Sequence, residues 1–65
     1  MYQVKTTNND QVRIEVYDSW QEALVDFNKQ CETNNVQKRR LSTNHYKAGY
    51  FPGVTLEVKE WRAEL

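Results

Sequence analysis

Residues 19–33, SWQEALVDFNKQCET, limit more than any other segment what this chain can fold into. Trp20, Ala23, Leu24, Phe27 and Cys31 recur at the i, i+3, i+4, i+7 spacing that lines up one stripe of an α-helix. Ser19 stands three residues before Glu22, a capping box in which hydroxyl and carboxylate each accept an N–H that the first turn leaves unpaired. Asn34 and Asn35 follow, where a left-handed residue commonly closes a helix. Most of a helix's stability comes from packing its apolar face, so the rest of the chain must cover this stripe.

The flanking segments supply strands. Tyr2, Val4 and Thr6 alternate with Gln3, Lys5 and Thr7, the period of a half-buried strand. Asn8, Asn9 and Asp10 carry turn chemistry, and Val12, Ile14 and Val16 then alternate with Arg13, Glu15 and Tyr17. The two runs are predicted to pair as an antiparallel hairpin with both apolar sets on the inner face. A third strand is predicted over Val54, Leu56 and Val58, leaving Thr55, Glu57 and Lys59 on the outer face.

The connecting residues are less regular. Residues 36–43, VQKRRLST, read as a strand or as an irregular basic loop, because Val36 and Leu41 fall on opposite faces of a regular strand. Gly49, Pro52 and Gly53 punctuate residues 44–53, which read as loop. After Val58, Trp61 and Leu65 follow at helical spacing, so residues 59–65 are either a bulged strand end or a helical turn. The predicted fold is one α+β domain over residues 1–65, with an N-terminal β-hairpin, one amphipathic helix and one or two further strands (ββα-β or ββα-ββ). The helix packs on one face of the sheet. The predicted core is Tyr2, Val4, Val12, Ile14, Val16, Trp20, Leu24, Phe27, Cys31, Leu56 and Val58.

Such a chain, at 65 residues, is close to the smallest that folds without staples. Cys31 is the single cysteine, so an internal disulfide is excluded, and its place on the stripe predicts a small buried hydrophobe. The opening residues lack the apolar core of a signal peptide, and no apolar run reaches the ~20 residues of a membrane span. A cytoplasmic setting without membrane contact is the expectation. Net charge is zero but unevenly spread, at −3 over residues 1–33 and +3 over residues 34–65.

Catalytic signals are sparse. His45 is the single histidine, and pairing it with Cys31 requires an exposed thiol where the stripe predicts a buried one. Two soft ligands do not make a zinc site, so no metal and no cofactor is expected. Glu22, Asp26 and Glu32 on the helix read as a solvated face, with Asp26 and Lys29 spaced to pair. The chain is expected not to be an enzyme.

Lys38, Arg39, Arg40, His45, Tyr46, Lys47, Tyr50 and Phe51 interleave cations with aromatics and form the candidate binding segment. Arg and aromatic residues are the types that dominate protein interfaces, so the leading expectation is a protein-binding module acting as inhibitor, adaptor or regulatory subunit. The same residues suit phosphate contacts and base stacking, which makes nucleic acid the alternative partner. A third reading is a self-associating homodimer, with Trp61 or the charge asymmetry as its contact.

Overall fold

The helix runs as the stripe requires. A computed structural model describes residues 1–49 and 53–61 of the chain. Helix α1 spans Trp20–Asn34; the Ser19 hydroxyl accepts the Glu22 N–H at 3.2 Å, starting the first turn. Asn35 closes it in the left-handed region (φ 55°), and the N–H of Val36 reaches back to the Cys31 carbonyl at 3.0 Å. This is a Schellman-type ending, the use to which a left-handed Asn is suited.

Five strands, all antiparallel, form one sheet beneath α1. They are β1 (Tyr2–Asn8), β2 (Gln11–Tyr17), β3 (Lys38–Ser42), β4 (His45–Gly49) and β5 (Val54–Glu60), in the order β2-β1-β5-β4-β3. The α+β architecture with its single packed helix is as expected. The basic segment after the helix is a second hairpin, β3–β4, in place of one strand and a loop. Gly49 ends β4 at φ 89°, and a Cβ there would sit 1.9 Å from the Val54 carbonyl oxygen. The breaker at this position thus permits close approach of β4 and β5. At the other end, β5 keeps unbroken register with β1 as far as Glu60, and the Trp61 N–H donates to the Met1 carbonyl at 2.8 Å. Residues 59 and 60 are therefore strand; residues 62–65 lie outside the described residues.

The core is Val4, Ala23, Phe27, Cys31, Ala48, Leu56 and Val58, all buried. From Phe27 in the core an aromatic chain continues through Tyr46, Trp20 and Tyr2, with ring centroids 5.5 to 6.2 Å apart in edge-on or tilted contacts. Such pairs contribute about 0.5–1.5 kcal/mol beyond the area they bury.

One strand is inverted relative to expectation. Val12, Ile14 and Val16 are 56%, 53% and 47% exposed, and they do not belong to the core. The cause is the hairpin turn. Asn8 is still paired, with Gln11, so the connection is two residues, Asn9 and Asp10, with Asn9 at φ 56°. A positive φ at the first central position is what the favoured two-residue hairpin turns demand. With an even-length turn each pair joins an even-numbered to an odd-numbered residue, so Val4 lies opposite Glu15 and Val12 opposite Thr7. A connection of odd length would have put both apolar sets on the same face. Arg13, Glu15 and Tyr17 consequently share the helix side of the sheet, where Arg13 and Glu15 pair at 3.3 Å.

Candidate functional site

The register assembles a second surface opposite the helix. Across the open face, Arg39, Lys47, Glu57, Lys5 and Ile14 stand in one row from β3 to β2. Beside it His45, Lys59, Gln3 and Val16 form a second row, and Gly49, Thr55, Thr7 and Val12 a third. Four cations thus share this face with one carboxylate, and the β-branched residues of β2 form an apolar border. Lys5, Thr7, Arg39, Lys47, Gly49 and Glu57 help line a shallow depression of about 350 Å³ in this face.

Glu57 organises the centre. Its carboxylate meets the His45 Nε2 at 2.6 Å, Lys47 Nζ at 3.8 Å and Lys59 Nζ at 3.9 Å. Burial pushes its carboxyl pKa up, but the His45 hydrogen bond and the two lysines outweigh that and hold it below the usual carboxylate range. An ionised carboxylate only accepts, so Nε2 carries the proton of this bond. A histidine oriented by a carboxylate is two parts of a hydrolytic triad. Among the described residues no hydroxyl or thiol bonds to its other ring nitrogen. Cys31 is buried on the core-facing side of α1, across the sheet from His45, and desolvation pushes its thiol pKa up, away from a reactive thiolate.

The candidate binding residues are not all brought together. Lys38, Arg39 and Arg40 are exposed along the edge strand β3; Lys38 Nζ donates to Asn28 Oδ1 at 2.9 Å, and Arg40 Nη2 to Thr43 Oγ1 at 3.4 Å. Register puts Lys38 and Arg40 on the helix side, with Ala48 and Tyr46, and leaves Arg39 on the open face with Lys47. His45 and Lys47 also join the open face. Tyr46 points the other way, its ring against Trp20 and Phe27. Tyr50 and Phe51 lie outside the described residues. Trp61, 38% exposed, stands just past the end of β5. Lys5, Lys59 and Glu57 were not among the candidates, since only strand pairing carries Lys5 from the N-terminus to the side of Glu57. Their strand parity was legible; their neighbours were not.

Among the described residues no group of three or more His, Cys, Asp or Glu is placed to hold a metal ion, and no helix is long and apolar enough to cross a membrane. Compared with family models, curated proteins and solved structures, the chain finds no match in any of the three.

Proposed function

We propose that this chain is a small non-enzymatic protein-binding module, an inhibitor, adaptor or regulatory subunit, whose open sheet face receives an acidic segment of another protein. The observation that carries the reading is the placing of Lys5, Arg39, Lys47 and Lys59 on one sheet face with the carboxylate Glu57, bordered by Val12, Ile14 and Val16. Cations answer a partner's carboxylates and speed its approach, while the branched side chains offer desolvable contact area. A cytoplasmic setting belongs to the same reading, and the free Cys31 thiol suits a reducing compartment.

The run Lys38, Arg39 and Arg40, exposed along β3, favours nucleic acid as the second reading. Base stacking needs exposed rings. Tyr46, the described aromatic of that segment, packs in the aromatic chain of the core, which weighs for a protein partner. The test is capture of partners on the tagged full chain and on Arg39→Glu/Lys47→Glu, with and without nuclease. A specific protein that resists nuclease and is lost from the variant is the expected result. Recovery of nucleic acid alone, released steeply by salt, overturns it in favour of phosphate contacts.

A further inference from the structure

We infer that two copies of this chain join through β2, edge to edge, to make one continuous antiparallel sheet. β2 is an edge strand of seven residues, in unbroken register with β1 and free of proline. The other edge, β3, carries Lys38, Arg39 and Arg40 and a register shift between Arg40 and Ser42, both of which discourage strand addition. β2 has no such shift, and its two charges, Arg13 and Glu15, are of opposite sign and offset each other.

The backbone of β2 is phased for pairing. Asn8 and Gln11 flank the two-residue turn, and the pair closing such a turn exchanges both backbone hydrogen bonds. Alternation then directs the backbone groups of Gln11, Arg13, Glu15 and Tyr17 to β1. Those of Val12, Ile14 and Val16 point outward from the sheet edge.

The side chains select a copy of the same strand. With a twofold axis at Ile14, Ile14 meets the partner's Ile14, and Val12 meets the partner's Val16. Arg13 then faces the partner's Glu15, and Glu15 faces the partner's Arg13. The Arg13–Glu15 pair, 3.3 Å apart within one chain, becomes a cluster of alternating charge across two. A slip of two residues either way puts Arg13 opposite the partner's Arg13, or Glu15 opposite the partner's Glu15, which is unfavourable. A slip of one sets the apolar row against the charged one. One register therefore satisfies hydrogen bonding, apolar matching and charge together.

The test is a charge swap read by sedimentation equilibrium across concentration. Arg13 and Glu15 side chains are 50% and 46% exposed, so their variants keep the fold. Wild type is expected to dimerise with rising concentration. Arg13→Glu alone and Glu15→Arg alone should each weaken dimerisation by about tenfold or more, from like charges at both symmetric contacts. Mixing the two variants should restore association as a heterodimer, and in wild type the amides of Val12, Ile14 and Val16 should gain exchange protection with concentration. A wild-type monomer up to high micromolar concentration overturns the inference. A dimer that survives both single variants, or one lost in Lys5→Glu or Trp61→Ala instead, also overturns it.

Discussion

Tyr17 donates its phenolic hydrogen to Asp26 Oδ2 at 2.6 Å, tying the last residue of β2 to the middle of α1. The bond to Asp26, followed by burial and by the charges of Asp26 and Glu15 against an opposing Arg13, pushes the phenol pKa up to about 12. The fold thus favours the neutral phenol. Its contribution is fully present below the unfolded phenol pKa, about 10, and is lost as pH rises towards the folded value. Tyr17→Phe should cost about 1 kcal/mol at neutral pH and flatten the alkaline loss of stability. Titration by tyrosinate absorbance should show one late tyrosine that disappears in the variant; an unchanged titration would show the bond to be absent in solution.

The inverted strand separates true core from apparent core. Phe27→Ala should cost about 3–5 kcal/mol and Leu56→Ala about 2–5 kcal/mol, because both side chains are buried. Ile14→Thr, on an equally apolar-looking strand, should change monomer stability by no more than about 0.5 kcal/mol. Denaturant unfolding at low protein concentration measures all three, and a large loss for Ile14→Thr would place that side chain in the core after all.

Gly49→Ala should destabilise by about 1–3 kcal/mol, since the position combines positive φ with a carbonyl where the methyl would go. Thermal melts decide this, and a neutral substitution would mean that β4 and β5 are less closely joined at Val54.

Glu57 holds its cations at a pH-dependent strength. Its carboxyl is depressed in the fold, so its contribution is present above the ordinary carboxylate range and lost as pH falls through the folded value. Glu57→Gln should cost about 1–2 kcal/mol at neutral pH and make the acid limb of the stability profile shallower. Equal losses at neutral and acid pH would remove the electrostatic account of this cluster.

The helix was legible because its determinants are local, although of the expected capping box only the Ser19 hydroxyl half forms among the described residues and the Glu22 carboxylate takes no part. The Ser19 hydroxyl, the stripe from Trp20 to Cys31 and the left-handed Asn35 all act within a few residues of one another. The strands β1 and β5 were legible for the same reason, each alternating apolar with polar residues along its own length. What alternation cannot state is which set of a neighbouring strand shares a face, and this depends on whether the turn is even or odd in length. One additional paired residue, Asn8, turned Val12, Ile14 and Val16 outward and brought Tyr17 to Asp26. The second hairpin was hidden because β3 is exposed throughout and β4 buries only Ala48, leaving no apolar period to read. The candidate binding face was decided entirely by tertiary pairing: Lys5, Glu57 and Lys47 lie far apart in the chain and become neighbours only through the hydrogen-bonded order β1-β5-β4.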